Sequence, residues 1–329
     1  GAGPSYVWDM VSRYGIECEA NPVGTLHAGV GAKGLAELVE RERQWKARGA
    51  PVELVGKAEA TAMLGTGFYE GALLDRRAGT IQPLAYAYGL AAAAIARGAR
   101  IHTGSPATGL ERDGDGWRVR TPGGSVAARK VVLATDAYTR LLMEDIAGQQ
   151  VLLPYFNMAT PPLPDDVARS ILPGRQGAWD TREVLSSFRF DAANRLVFGS
   201  VGALRNTGVA IHRAWARRAL RRIFPQIGAL GFEGRFEHEW YGQIGMTADN
   251  LPRFHRLDDG VYSFCGYNGR GIVPGTVFGR AMAGLLCGET SEDALPLPVT
   301  RPAPVSLRRL RSAWYEAGAQ LAHLADARF

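Results

Sequence analysis

The segment from Trp240 to Ala283 constrains the fold more than any other. It holds a turn (Trp240-Tyr-Gly-Gln-Ile-Gly-Met-Thr-Ala-Asp249-Asn-Leu-Pro252), then an apolar strand and a glycine-rich loop (Gly260-Val-Tyr-Ser-Phe-Cys-Gly-Tyr-Asn-Gly-Arg-Gly-Ile-Val273). Helical sequence through Gly279-Arg-Ala-Met-Ala283 follows. Gly266, Gly269 and Gly271 carry no Cβ, so their backbone can approach a large ligand closely. A helix opening after such a loop presents unpaired N–H groups and the positive end of its dipole to an anion or an electron-rich ring. This arrangement points to a nucleotide or flavin cofactor rather than to a metal or a hydrolytic triad.

Composition narrows the remaining classes. The 329 residues allow one large or two interleaved domains, and 46% hydrophobic content supports a sizeable core. Much of the net charge of +6 comes from arginines in Arg213–Arg222 and Arg308–Arg311. Trp215, Ala219 and Ile223 recur at helical spacing, so the first cluster is expected to be the solvated side of an amphipathic helix. Aromatic residues do not interleave with the basic ones, which argues against nucleic acid as a partner. Cys18, Cys265 and Cys287 lack C-x-x-C spacing and the six histidines lack H-x-x-x-H spacing, so neither a disulfide framework nor a metal site is expected. The apolar run Leu90–Ile95 is too short to span a bilayer, and no charged-then-apolar leader is visible. A soluble, cytoplasmic protein is the expectation; the sequence is silent on oligomeric state.

Along the chain, a helix ends at Gly15, a strand covers Gly24–Val30, and a charged helix covers Gly34–Arg48. Pro83 opens a helix through Arg97, with Gly98 as its stop. Arg100–His102, Ala107–Arg112, Trp117–Thr121 and Ser125–Ala134 are predicted strands, and Val131–Ala134 has the continuous apolar character of a strand buried on both faces. Leu152–Thr160, Val184–Phe190 and Leu196–Val201 alternate like an antiparallel sheet. A helix over His212–Phe224, a long strand over Phe232–Tyr241, an extended Leu295–Pro304 and a helix over Ser306–Ala325 complete the pattern. The order α/β, antiparallel β, α/β implies a nucleotide-binding domain whose chain leaves to build a second domain and returns.

Gly29-Val-Gly-Ala-Lys-Gly34 matches G-x-G-x-x-G and is preceded by a strand and followed by a helix. Two points argue against a dinucleotide loop. The preceding Gly24–Ala28 alternates polar and apolar, unlike a strand covered on both faces, and the following helix is charged on most sides. A strand-to-helix loop of the second domain is the preferred reading. An NAD-dependent dehydrogenase is the lesser alternative.

From about Trp8 onward the chain resembles the D-amino-acid-oxidase-like (DAO) family of FAD-dependent oxidoreductases. The nearest branch is that of glycine and sarcosine oxidases and γ-glutamylputrescine oxidoreductase. The resemblance is carried by Val23–Ala28, Gly71–Leu74 with Gly79–Pro83, Lys130–Tyr138, Trp240–Gly242 with Thr247–Asp249 and Pro252, and Gly266–Gly271, in this order over nearly the whole chain. It implies an FAD/NAD(P)-binding Rossmann-like domain (82–146 and 242–290) interleaved with an antiparallel-sheet substrate domain (16–81 and 147–241), followed by a C-terminal extension (291–329). It also implies that this sequence starts some tens of residues into the family pattern. The strand–G-x-G-x-x-G–helix that holds the FAD pyrophosphate has no counterpart here, and an exposed apolar edge is expected beside the gap. A fragment that does not hold FAD is the alternative in kind.

Carried over position by position, the resemblance places Ala107 at the adenine and Ala134 and Thr135 near the ribose and pyrophosphate. Gly266, Tyr267, Asn268, Gly269, Arg270, Gly271 and Ile272, through to Val273, run along the isoalloxazine. For Thr135 a plain strand-end turn is the alternative. Trp240, next to Gly242, either packs on the flavin or is a core aromatic. Relatives often have histidine where Arg270 stands. Here the arginine either pairs with the flavin N1–C2=O region or a substrate carboxylate, or is an ordinary surface residue. The implied chemistry is hydride removal from the carbon beside an amine nitrogen, giving an imine that hydrolyses. Tyr155, Arg182 and Arg189 are candidate anchors for an amine or amino-acid substrate, with Tyr241 and Gln243 as alternatives.

Overall fold

The structure is a computed structural model that describes residues 2–139, 143–230 and 234–326. The chain begins α1 (Gly3–Tyr14), β1 (Thr25–Gly29), α2 (Gly31–Lys46), β2 (Val52–Gly56), α3 (Lys57–Leu64), β3 (Gly71–Asp75) and α4 (Pro83–Ile95). It continues β4 (Gly109–Asp113), β5 (Gly116–Thr121), β6 (Gly124–Ala128), β7 (Val131–Leu133), α5 (Glu144–Gly148), β8 (Val151–Ala159), α6 (Asp165–Ser170), β9 (Gly177–Asp180), β10 (Ser187–Phe190) and β11 (Leu196–Val201). It closes α7 (Thr207–Ile223), α8 (Pro225–Ala229), β12 (His238–Met246), β13 (Arg253–Asp258), β14 (Val261–Cys265), α9 (Ile272–Leu286), β15 (Val299–Thr300) and α10 (Arg308–Ala325). Two compact units result. One comprises 1–90, 154–242 and 315–329, the other 91–153 and 243–314, so residues 291–329 are divided between them.

The first unit is built on an eight-stranded sheet of order β12-β8-β11-β10-β9-β1-β3-β2. Its pairs are antiparallel wherever β10, β11, β8, β3 and β2 meet, and β1 runs parallel to β9. Trp215, Ala219 and Ile223 of α7 are fully buried in a core with Phe156, Phe188, Phe198 and Phe224. The arginines of α7 depart only in part from the expected solvated face, since Arg213 and Arg221 are exposed while Arg217, Arg218 and Arg222 are half-buried. Arg213 pairs with Glu239 at 2.6 Å, Arg218 donates to the carbonyls of His323 and Asp326, and Arg222 reaches the Asp326 carboxylate at 3.2 Å. Several of them fasten the end of α10 because that end carries the acceptors.

The loop after β1 is the strand-to-helix loop of this unit, although one premise against the dinucleotide reading fails. All five residues of β1 are buried, polar Thr25 and His27 as well as Leu26 and Ala28. Packing engages part of the loop. Val30 N–H donates to the Thr181 hydroxyl at 3.0 Å, and a Cβ on Gly34 would meet that oxygen at 2.2 Å. Thr181 thus fills one side of this loop, while Gly31, Ala32 and Lys33 at the start of α2 stay exposed. The charged surface of α2 is satisfied along the helix by Glu37–Arg41, Glu40–Arg43 and Glu42–Lys46 pairs.

The second unit holds a sheet of order β15-β13-β14-β7 and a three-stranded meander β4-β5-β6. No strand forms over Arg100–His102. The predicted single strand Ser125–Ala134 divides: β6 joins the meander, and β7 runs parallel to β14 with Leu133 opposite Ser263. Among the described residues β7 pairs on one side only, so Val132 is 40% exposed rather than covered on both faces. Exposed apolar side chains also include Leu84, Tyr88 and Ile95 of α4, and Ile101. The predicted strand Phe232–Tyr241 begins outside the described residues, and the ordered strand is β12, from His238.

Candidate functional site

Because β7 and β14 are parallel, both deliver their carboxyl ends to the same edge of the sheet. Ala134–Asp136 leaves β7 there, and the glycine-rich loop Gly266–Gly271 leaves β14 there. Crevices at the carboxyl ends of parallel strands are where open α/β sheets bind ligands. Ala134, Thr135, Gly269, Arg270, Gly271 and Ile272 are all exposed at these ends.

Asp136 and Gln150, which sequence reasoning did not single out, fasten the loop together with Asn268. Asp136 adopts a left-handed φ of +40° and accepts the Gly266 N–H at 2.7 Å. Burial pushes its carboxyl above the usual range, while the N–H groups of Gly266, Ala137 and Tyr267 pull it back. Gln150 donates to the same carboxylate at 3.4 Å, and a Cβ on Gly245 would meet the Gln150 Oε1 at 1.8 Å. Asn268, with φ +51°, accepts the Thr247 N–H at 2.8 Å and donates to the Gly266 carbonyl. Gly266 has φ +78°, and a Cβ there would lie 2.5 Å from Thr247 Cγ2. The only sequence signal for this latch is an Asp placed directly after an apolar strand and its threonine.

Behind the loop His255 is buried and neutral. Its Nδ1 faces the Thr300 carbonyl at 2.9 Å, an acceptor only, so Nδ1 carries the proton and Nε2 accepts from the Gln149 amide at 2.7 Å. Burial lowers its pKa and pushes the neighbouring Cys265 thiol up to about 12. Cys265 is therefore a core thiol and not a nucleophile.

The residues present fit a flavin. Within the described residues, the N–H groups of Gly269, Gly271, Ile272 and Val273 meet no protein acceptor, and no side chain caps α9. An ideal Cβ on Gly271 would meet nothing within 4 Å, so this stretch of backbone is open to a ligand. Arg270 beside it is exposed and forms no ion pair among the described residues. Tyr267 packs edge-on against Phe264 and so faces the interior. Ala107 is exposed in an irregular segment before β4, and Thr135 bonds the Thr139 hydroxyl as a strand-end turn does.

A family profile described as "FAD dependent oxidoreductase" (DAO) matches residues 6–285. γ-Glutamylputrescine oxidoreductase of Escherichia coli is 30% identical over 324 residues, covering 95% of this chain and 74% of that protein. The chain belongs to the DAO family of FAD-dependent oxidoreductases. A probable oxidoreductase OrdL of Haemophilus influenzae is 29% identical, with 85% of this chain and 64% of that protein covered, so the chain spans under two thirds of that relative. Among solved structures, glycine oxidase from Geobacillus kaustophilus superposes with a TM-score of 0.71 at 22% identity, covering 91% of this chain and 80% of that one. L-Proline dehydrogenase from P. horikoshii gives 0.73 at 16%, covering 89% and 79%. FAD is thus the cofactor of an enzyme with a Rossmann-like nucleotide-binding fold joined to an antiparallel-sheet domain.

In the first unit the candidate anchors of this DAO-family chain are placed unequally. Arg182 is committed to Asp326 at 2.8 Å and lies over the Phe68 ring. The Tyr155 hydroxyl bonds Ser187 Oγ at 2.7 Å, and burial raises its pKa. Arg189 is half-buried, which lowers its pKa, and donates to the Phe190 carbonyl. Trp240 and Tyr241 of β12 are 46% and 38% exposed, so Trp240 is not a core aromatic here, and Gly242 follows them. In the second unit the Gln243 N–H donates to the Tyr138 hydroxyl at 3.0 Å, and the Gln243 Oε1 is buried without a partner among the described residues. A further buried carboxyl, Asp180, is raised by burial to about 6 against opposing bonds from the N–H groups of Ser186 and Arg182.

Proposed function

We propose that this chain oxidises the C–N bond of an amine or amino acid to an imine that water then hydrolyses. FAD, when bound, supplies the hydride acceptor. The observation carrying the reading is the exposed stretch Gly269–Ile272, held by Asp136 and Asn268 at the carboxyl ends of two parallel strands. Those N–H groups would donate to the electron-rich carbonyl edge of the ring, with preorganised dipoles that need no rearrangement. The relatives named γ-glutamylputrescine oxidoreductase and glycine oxidase support a substrate carbon bonded to nitrogen.

Of the candidate anchors, Arg270 is exposed and forms no ion pair among the described residues, which leaves its guanidinium for a substrate or ring anion. Arg182 is already neutralised by Asp326, and Tyr155 already spends its hydroxyl on Ser187. Trp240 and Tyr241 offer exposed aromatic faces suited to an amine or its alkyl chain. The test is anaerobic mixing of the FAD-loaded chain with a panel of primary amines, secondary amines and amino acids. Bleaching of the oxidised-flavin band by one of these, with release of the carbonyl product, is expected. Bleaching only by hydroxy acids or alcohols would refute the reading.

A further inference from the structure

The surroundings of Asp136 suit only one of its two protonation states. Its carboxyl meets donors on every recorded side: the N–H of Gly266 at 2.7 Å, the N–H groups of Ala137 and Tyr267, and the Gln150 amide at 3.4 Å. The three backbone groups can only donate. Gln150 is the one neighbour able to turn an oxygen towards a protonated acid, and its Oε1 is lodged against Gly245. A protonated Asp136 would therefore set its own O–H against N–H groups and give up part of this grip. The Gly266 peptide is where the loss would be felt. Asp136 holds its N–H, and the Asn268 amide, itself fixed by the Thr247 N–H, holds its carbonyl.

We propose that Asp136 is a positioning residue that links FAD binding to pH: the ionised carboxylate sets the Gly266–Gly271 loop in its flavin-binding form, and protonation releases it. This rests on the reading that Gly269–Ile272 lie against the ring, since preorganised N–H groups help a ligand only while their backbone is held. The groups facing Asp136 leave the titration to this carboxyl. The Cys265 thiol, pushed up to about 12, and the raised Tyr267 hydroxyl are shifted chiefly by burial and also by the Asp136 charge, so both stay neutral. Arg253, beside Cys265, is spent on Asp249 at 2.6 Å, and Tyr138 turns its hydroxyl to the Gln243 N–H. His255 lies behind Gln149 and is unchanged in every variant below. The sign follows from burial, which raises the Asp136 carboxyl in the FAD-free chain, while a loop gripped by FAD favours the ionised form. Affinity is thus full above the pKa of the FAD-free chain. It falls as pH drops below that value, by at most about tenfold per pH unit for one proton. By reciprocity, FAD releases protons as it binds.

The test is fluorescence titration of the full chain with FAD from pH 8 to pH 4.5, with far-UV circular dichroism confirming the fold at each step. Wild-type affinity should bend downward on the acid side. Asp136→Asn, which keeps an acceptor for the Gly266 N–H and cannot ionise, should lose that bend. Gln150→Leu removes a donor that favours the carboxylate and should move the bend to higher pH. Calorimetry in two buffers of different ionisation enthalpy should show proton release when FAD binds wild type near the bend, and none with Asp136→Asn. A parallel fall in wild type and Asp136→Asn, or a wild-type affinity that is flat over the range, would overturn the proposal. Failure of the underlying reading shows separately, because it would leave FAD affinity unchanged in Gly271→Val at pH 8.

Discussion

Gly271 separates ligand contact from fold stability, because substitution there should move the two in opposite directions. Its φ of −81° and ψ of −38° are helical, so an L-residue fits without strain, and an ideal Cβ meets no protein atom within 4 Å. Replacing glycine by alanine at such a position stabilises a protein by about 0.4–1 kcal/mol through the unfolded chain. For a chain of this size that raises the melting temperature by roughly 1–2 °C. If the flavin lies against this backbone, the added carbon projects into the ring's place. Overpacking of that kind costs about 1–3 kcal/mol, and each 1.4 kcal/mol is tenfold in affinity. Gly271→Ala should therefore melt slightly higher yet bind FAD several-fold to ~100-fold more weakly, and Gly271→Val should bind more weakly still. Gly266→Ala is the contrasting control, since φ +78° and a Cβ 2.5 Å from Thr247 Cγ2 make it lose stability outright. Thermal unfolding and fluorescence titration with FAD read both quantities. Unchanged FAD affinity in Gly271→Val would show that the loop does not face the ring.

The Asp136 latch should tolerate asparagine, which accepts the Gly266 N–H and favours left-handed backbone, whereas Asp136→Ala should lose about 1–3 kcal/mol of stability and weaken FAD binding in titration. Arg182→Met should lower stability by about 1 kcal/mol, because Asp326 loses one of its two arginine partners, and leave KM unchanged; a raised KM would return Arg182 to the substrate site. The buried pair His212–His323, 2.7 Å apart at Nδ1, has pKa values lowered by burial to about 4 and about 3. Below pH ~6.5 the unfolded chain binds protons that the fold excludes, so stability is present above that pH and falls as pH drops towards 4. Between pH 8 and pH 5 the loss should be roughly 2 kcal/mol for His212 alone, read from urea unfolding at the two pH values, and the double His→Gln variant should flatten it.

Local periodicity and punctuation were enough to place α7 with Trp215, Ala219 and Ile223 inward, α4 from Pro83, and the strand–glycine–helix run from Val261 to α9. Each depends on interactions within a few turns or on backbone freedom, both written in adjacent residues. The resemblance carried the cofactor for the same reason: a loop that must hug a ring needs glycine at fixed places.

Other properties depended on partners far along the chain. Nothing near Thr25 or His27 announces that β1 is wholly covered, because the cover comes from strands fifty to one hundred and fifty residues away. Arg218 and Arg222 look solvated in sequence and instead clasp Asp326, about one hundred residues later. Asp136 reaches Gly266 across 130 residues, a hydrogen bond that no spacing rule encodes. Sequence alone determined which segments could be helix, strand or open loop, since short-range sterics and hydrophobic period decide that. Tertiary structure alone decided which polar side chains are already spent on the protein and which remain free for a ligand.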